Sequence, residues 1–241
     1  MSERLELHRR VWNEKRIIRE AYVDWYKKVL KDRSAVGGAT IEVGGGGGNL
    51  KHEMPDVVST DIEFCPWLDV CCDAHALPFK GESVSNLVLV DVLHHLADPV
   101  GFLRDASSVL RRGGRILMVE PFPSPFSSVV YKLLHPEPFD MNADYFGKDP
   151  GSKKEPWDAN QAIPYLLFFK HRKTLHAALD NDYRIIRRER ISWALYPASG
   201  GFEHRALVPD FFIPLLRLFE YALSPLRMLI AFRCYIVLEK R

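Results

Sequence analysis

An alternation of strand-like and helix-like segments between residues 39 and 120 constrains this chain more than any other feature. Short apolar or β-branched runs typical of buried strands recur there, at 39–43, 56–61, 68–74, 85–93 and 115–120. A helical pattern begins at Asp98 and Pro99, which suit the cap and first turn of a helix, and the glycine pair 113–114 is predicted to end it. Strands that alternate with helices form parallel sheets with right-handed crossovers. The sequence therefore predicts an α/β domain built on a parallel sheet.

Residues suited to ligand binding follow the first four of these predicted strands. Five consecutive glycines, 44–48, follow the first strand, and Asp61, Asp73 and Asp91 lie at or near the ends of the next three. A lone Asp at such a position is more often a turn former. Ligands of open parallel sheets bind beyond the carboxyl ends of the strands, and glycine lets a ligand approach bare backbone. Three acids together with the glycine loop therefore predict a ligand site at this edge.

The spacing within the glycine run narrows the choice of ligand. The dinucleotide pattern G-x-G-x-x-G fails at its sixth position, where Asn49 stands. The spacing E-x-G-x-G-x-G fits instead, through Glu42 and the glycines at 44, 46 and 48. Asp61 lies 17 residues after Gly44, which suits ribose hydroxyls. Its charge would repel a 2′-phosphate, so NADP is disfavoured.

Residues 41–120 resemble the class I S-adenosylmethionine-dependent methyltransferases of the small-molecule type. The motifs that carry the resemblance are EVGGGGG, STDIE, CDAHALPF, LVDVLHHLADP and VLRRGGRILMVEP, in the expected order. The resemblance implies a Rossmann-like, seven-stranded, mostly parallel sheet with helices on both faces. Its last strand would be antiparallel and would correspond to AFRCYIVLEK. It also implies S-adenosylmethionine as cofactor and S-adenosylhomocysteine as product.

The same resemblance implies cofactor contacts in the glycine loop and at the next three strand ends. The implied residues are Glu42, Gly44, Gly45, Gly46, Asp61, Ile62, Asp73, Ala74, Asp91 and Val92. In this interpretation the glycines approach the methionine part, Asp61 binds the ribose hydroxyls and Asp73 binds the adenine amino group. Relatives usually carry Ser, Thr or Cys at the positions of Gly45 and Gly47, so a less stiff loop is expected here.

Histidines are the leading candidates for handling the proton of an acceptor hydroxyl. Methyl transfer needs in-line geometry, exclusion of water and a base that works near neutral pH. The candidates are His94, His95 and His135, with Glu120 and Glu137 as second choices. No metal is expected, because these histidines have no carboxylate partner at ligand spacing in the sequence.

The acceptor is expected to be a small molecule. The segment after the fourth strand reads DVLHH and lacks the N/D-P-P-Y/F motif of enzymes that methylate bases or glutamine. A net charge of +2 lacks the basic footprint of a nucleic-acid binder. The motifs HPEPFD, DANQAIP, YPASGGF and FRCYIVLEK resemble uncharacterised bacterial methyltransferases linked to surface-polysaccharide or lipid biosynthesis. This resemblance implies methylation of a hydroxyl on a sugar, glycan or lipid-linked intermediate.

Two other functions remain open at this point. A module that binds S-adenosylmethionine or S-adenosylhomocysteine without catalysis would carry the same cofactor motifs. A NAD-binding oxidoreductase is the third possibility. An active methyltransferase and a non-catalytic module would both bind S-adenosylhomocysteine, whereas a NAD-binding oxidoreductase would not.

A single methyltransferase domain is predicted for residues 1–241, with additions around the sheet. Residues 1–35 are predicted as a helical lid. Their helical periodicity runs over 5–31 and also fits a helix with one buried face. Cap insertions are predicted at 121–165, which holds eight of the 16 prolines, and at 194–230. The apolar segment 208–230 fits packed cap helices, a dimer interface or a peripheral membrane contact.

Cysteine usage and the N-terminal segment favour a cytoplasmic location. The four cysteines, at positions 65, 71, 72 and 234, form no C-x-x-C pair and no disulfide pattern. The first residues, MSERLELHRR, lack the apolar run of a signal peptide. No stretch of 18 apolar residues occurs, so no membrane span is expected.

Overall fold

The computed structural model describes residues 3–134, 137–147, 157–179 and 182–241, which form a seven-stranded sheet in the order β3-β2-β1-β4-β5-β7-β6. The strands β1 to β7 are Ala39–Val43, Val58–Asp61, Val70–Cys71, Val84–Val90, Leu110–Pro121, Tyr183–Ile191 and Arg233–Lys240. Strands β1 to β5 pair in parallel, whereas β7 runs antiparallel to both β5 and β6. The predicted mostly parallel sheet with an antiparallel last strand is confirmed.

Helices lie on both faces and across the carboxyl edge of this sheet. The helices α1 to α9 are Glu3–Glu14, Arg16–Lys31, Pro99–Val109, Pro125–Leu134, Ile163–Tyr165, Arg172–Ala178, Leu195–Ser199, Ile213–Ala222 and Arg227–Ile230. A π-helical turn, Leu166–Lys170, joins α5 to α6. Short 3-10 turns occupy Asn49–His52, Ala74–Ala76, Leu93–His95, Asp210–Phe212 and Ser224–Leu226. Among the described residues, no helix combines the length and apolar character that a membrane span requires.

Strand β4 shows why the central strands are apolar throughout. Successive side chains of a strand point to opposite faces of the sheet. Leu87 and Leu89 join the core cluster that contains Phe102 of α3, whereas Val88 joins the cluster that contains Trp25 of α2. Both faces of β4 are therefore buried, as expected for a strand with helices on both sides.

Two element boundaries differ from the sequence predictions for physical reasons. The helical pattern of residues 5–31 is divided at Lys15, which has extended backbone between α1 and α2. The Lys15 ammonium donates to the carbonyl oxygens of Gly201 and His204, each at 2.6 Å, a contact that the local sequence cannot reveal. Helix α3 ends at Val109 rather than at the glycine pair 113–114, because β5 already begins at the next residue.

Candidate active site

A cavity of about 820 Å³ lies at the carboxyl ends of the parallel strands. The ten residues implied as cofactor contacts all line it, as do His94 and His95. Glu137 also lines the cavity, whereas His135 lies outside the described residues. The fold therefore gathers into one space groups that are far apart in the sequence.

The glycine loop alternates between positions that require glycine and positions that do not. Gly44, Gly46 and Gly48 have φ angles of +68°, +48° and +72°, which side-chain-bearing residues rarely adopt. At Gly44 an added Cβ would also lie only 2.6 Å from Cγ2 of Val92. Gly45 and Gly47 are absent from the positive-φ set of the described residues. These two glycines are therefore not demanded by backbone conformation.

The aspartates that end β2 and follow β3 hold backbone N–H groups. Asp61 Oδ2 accepts from the N–H of Gly46 at 2.9 Å, and its Oδ1 accepts from the N–H of Glu63 at 3.0 Å. Burial raises the pKa of Asp61, against the effect of these hydrogen bonds. Asp73 accepts from the N–H of His75 at 2.8 Å and begins the 3-10 turn that follows. Both carboxylates remain on the wall of the cavity.

Glu42 is a buried carboxyl group beneath the glycine loop. Its Oε2 accepts from the Ser59 hydroxyl at 2.6 Å, and only 4% of the residue is exposed. Burial raises the pKa of Glu42 to about 7, although the Ser59 hydrogen bond acts in the opposite direction. Oε2 would lie 2.9 Å from a Cβ added at Gly45, so this carboxyl group limits what that position can hold.

Asp91, which follows β4, belongs to a buried polar cluster. Its backbone has a φ of +57°, and its Oδ2 accepts from the Tyr22 hydroxyl at 2.8 Å. Arg233 Nε lies 3.1 Å from Asp91 Oδ1, an ion pair whose angle falls outside hydrogen-bond geometry. The Arg233 guanidinium also donates to the hydroxyls of Tyr131 and Tyr196. Sequence reasoning missed Arg233, although a charged residue in the apolar closing strand FRCYIVL was a usable signal.

The Glu120 carboxylate contacts His94 and is itself fixed by hydrogen bonds from backbone N–H groups. Glu120, in β5, accepts through Oε1 from the N–H groups of Val92 and Leu93, at 3.0 and 2.8 Å. Its Oε2 lies 2.7 Å from His94 Nδ1. The other ring nitrogen, Nε2, therefore faces Glu137 and lies 3.7 Å from its Oε2. Burial disfavours the charged imidazole, but the hydrogen bonds to Glu120 and Glu137 outweigh it and raise the pKa of His94 to about 9.

His95 has the opposite electrostatic environment. Burial and the nearby positive charge of His94 lower the pKa of His95 to about 3. Its Nε2 lies 4.0 Å from a Glu137 carboxylate oxygen. Among the described residues, the group His94, His95 and Glu137 alone brings metal-ligating atoms together, within 4.8 Å. The sequence predicts all three residues as candidate bases but not their proximity, because Glu137 lies far from the two histidines in the sequence.

Aromatic residues and helix α1 close the outer side of the cavity. Trp157 donates from Nε1 to Glu63 at 2.8 Å, and the Arg4 guanidinium lies 4.2 Å above the Trp157 ring. His8 of α1 stacks on Phe202 with ring centroids 4.6 Å apart. The cavity thus has a sheet-edge side made by the parallel strands and a cover made by α1 and the later loops.

Comparisons with solved structures show which known proteins share this fold. A methyltransferase of Archaeoglobus fulgidus described as S-adenosylmethionine-dependent has the same fold, with a TM-score of 0.55 and 15% identity over 92% of this chain and 94% of its own. Geranyl diphosphate C-methyltransferase of Streptomyces coelicolor, solved with Mg²⁺, geranyl diphosphate and S-adenosyl-L-homocysteine, gives a TM-score of 0.51 and 10% identity over 95% and 84% of the two chains. This chain therefore has the fold of these two methyltransferases.

Sequence comparisons match a shorter part of the chain than the fold comparisons do. Residues 41–118 match the family model described as a methyltransferase domain. The ubiquinone biosynthesis O-methyltransferase of Parvibaculum lavamentivorans is 43% identical over 44 residues, which are 18% of this chain and 17% of that protein. Matches to curated relatives span about a fifth of their length. The chain therefore carries a region similar to a methyltransferase domain on the fold of S-adenosylmethionine-dependent methyltransferases, and the resemblance inferred from its motifs is confirmed.

Proposed function

We propose that this methyltransferase transfers the methyl group of S-adenosylmethionine to a hydroxyl of a small acceptor, namely a sugar, a glycan or a lipid-linked intermediate. The observation that carries the proposal is His94, which lines the same cavity as the implied cofactor residues and is held from behind by the buried carboxylate of Glu120. A hydroxyl acceptor must lose a proton, and an oriented imidazole is suited to take it.

The cavity suits the cofactor on chemical and steric grounds. S-adenosylmethionine supplies, when bound, a methyl group activated by a sulfonium cation. Glu42, Asp61 and Asp73 line the cavity with carboxyl groups that favour a cationic ligand and can accept from its hydroxyl and amino groups. The bare backbone at Gly44 leaves room that a side chain would fill. Asp61 is proposed to release the Gly46 N–H when it binds the ribose.

His94 is proposed to act as the general base. In its neutral form, with Nδ1 donating to Glu120, His94 would take the proton of the acceptor hydroxyl at Nε2, on the side of the ring that faces Glu137. Glu120 stabilises the imidazolium that results, and its own position is fixed by two backbone N–H groups. Because the pKa of His94 is about 9, the neutral form is a minority at pH 7, and turnover should rise with pH.

Helix α1 and the later loops are proposed to act as lid and cap. Arg4 and His8 of α1 contact Trp157 and Phe202 across the cavity. Such a cover would exclude water during transfer and would need to open for exchange of cofactor and product. The relative named as a ubiquinone biosynthesis O-methyltransferase supports an oxygen atom as the site of methylation.

Titration calorimetry followed by an acceptor panel tests this proposal. The protein should bind S-adenosylhomocysteine and then methylate at least one member of a panel of sugars, isoprenyl-linked sugars and phenols. Amines and carboxylic acids in the same panel test the preference for hydroxyls. Binding without transfer to any member would favour the non-catalytic module, whereas the absence of binding would contradict both functions.

A further inference from the structure

Helix α8 turns its charged side chains toward the protein. Arg217 donates to Asp24 at 2.6 Å and to Glu20 at 2.7 Å, and both acids belong to α2. Glu220 accepts from the backbone N–H groups of residues 193–195, at 3.1 to 3.2 Å. These are the only charged side chains within α8. The outward face of the helix is therefore without charge.

The outward surface of α8 and its neighbouring turns is apolar, which reverses the usual arrangement of a surface helix. We name it the apolar patch; each of its members is between 37% and 82% exposed, and they are Phe211, Phe212, Leu215, Leu218, Phe219, Tyr221, Leu223, Leu226, Met228 and Leu229. Helix α4 contacts α9 and adds exposed Phe126, Val129 and Leu133. Contiguous apolar surface of this kind marks a binding site for a protein or a membrane.

The apolar surface continues into the cavity that holds the candidate active site. Phe126 of α4 is 55% exposed and Leu207 is 75% exposed, yet both also line the cavity. Phe126 packs edge-to-face against Phe232, the residue that precedes β7, with ring centroids 5.9 Å apart. A hydrocarbon chain held on this surface would therefore meet the mouth of the cavity.

Charged residues on the same segments favour a lipid surface over a second copy of the chain. Arg227 of α9 and Lys132 of α4 are exposed. Asp210 is the single exposed acid in the described segment 206–230. Basic side chains beside an apolar helix face bind anionic headgroups, while the same charges would repel each other across a two-fold dimer.

We propose that the apolar patch docks on the surface of an anionic lipid bilayer and holds the cavity mouth against it. A lipid-linked acceptor could then enter while its chain stays in apolar surroundings. The evidence for docking is the apolar patch and its basic neighbours. Only the nature of the acceptor rests on the proposed function.

Flotation with lipid vesicles tests the docking without any acceptor. The wild-type protein should float with vesicles of phosphatidylcholine and phosphatidylglycerol, and less with phosphatidylcholine alone. Leu218→Asp combined with Phe219→Asp should lower partitioning by about tenfold or more, since two apolar side chains are removed from the contact. Ile186→Asp is the matched control, because Ile186 is an exposed apolar residue of β6 outside the patch, and it should float like the wild type. Arg227→Glu combined with Lys132→Glu should remove the preference for anionic vesicles.

Calorimetry and sedimentation control for misfolding and for dimer formation. Calorimetry with S-adenosylhomocysteine should give wild-type affinity for every variant, which shows that each one folds. Failure of the folded wild type to float would overturn the proposal, as would a dimer in sedimentation that Leu218→Asp dissociates without any vesicle binding. Flotation without methyl transfer to any acceptor would contradict the proposed function and leave the docking intact.

Discussion

The sheet-edge side of the cavity and its cover are built in different ways. On the sheet-edge side, Glu42, Asp61 and Asp91 lie within or directly after parallel strands, so strand order alone brings them together. On the cover, Trp157 and Phe202 come from separate loops and meet side chains of α1. The sheet edge suits an unchanging cofactor, whereas a cover of loops can change with the acceptor. His94 and Arg233 lie where the two sides meet.

Replacing His94 should produce the largest effect on activity. It tests whether this residue, which lies where the sheet edge meets the cover, takes part in catalysis. His94→Gln is expected to lower kcat by about 10²- to 10⁴-fold, the usual contribution of a general base. Affinity for S-adenosylhomocysteine should be unchanged, as measured by calorimetry. His95→Gln is the matched control and should retain most activity; equal losses in both variants would remove the special role of His94.

Replacing Arg233 tests whether the buried polar cluster between the two sides stabilises the protein. Arg233→Met removes the buried partner of Asp91 and the donor to Tyr131, so the free energy of unfolding should fall by about 3–5 kcal/mol. Denaturant titration measures the loss. Arg184→Met, at an exposed position of β6, should change stability by less than about 0.5 kcal/mol. Similar stability of the two variants would contradict a structural role for the cluster.

Replacing Asp61 should affect the sheet-edge side alone. Asp61→Asn removes a charged acceptor proposed to bind the ribose, so affinity for S-adenosylhomocysteine should fall about tenfold to a hundredfold. The exposed Asp105→Asn on α3 serves as control. Unchanged affinity would mean that the ribose binds elsewhere.

The pKa of Glu42 predicts a pH-dependent stability of the sheet edge. Burial raises this pKa from 4.5 to about 7, so the folded state holds the proton more tightly and loses stability as pH rises through that window. Glu42→Gln should therefore stabilise the protein by about 1–3 kcal/mol at pH 8 and have little effect below pH 4.5. Thermal unfolding at the two pH values measures this, and a gain that is independent of pH would contradict the cause given.

The glycine loop offers the smallest and most local comparison. Gly47→Ala should be neutral or stabilise by about 0.4–1 kcal/mol, because the position has no positive φ and its nearest neighbour is the Asn49 side chain. Gly44→Ala should destabilise by more than about 1 kcal/mol, since Val92 and the positive φ oppose it. Equal effects in denaturant titration would show that the alternation in the loop is unimportant.

Local sequence patterns predicted the sheet edge because it depends on local periodicity. A strand, a glycine loop and an acid at the next strand end can each be read within a few residues, which is why Asp61 and Asp73 could be named as candidates for the cavity wall that they line. The pairing of Glu137 with His94 and His95 could not be read, since Glu137 is far from them in the sequence and only the fold brings these side chains together. The break at Lys15 likewise depends on carbonyl groups of residues 199–204.

The pH dependence of methyl transfer tests most directly whether His94, held by Glu120, is the base. With an acceptor found in the hydroxyl panel, kcat of the wild type should rise with pH and level off near pH 9, where His94 loses its proton. Glu120→Gln removes the charge that raises this pKa, so its profile should be lower and should level off at a lower pH. A wild-type rate independent of pH, or an unshifted profile for Glu120→Gln, would contradict the account.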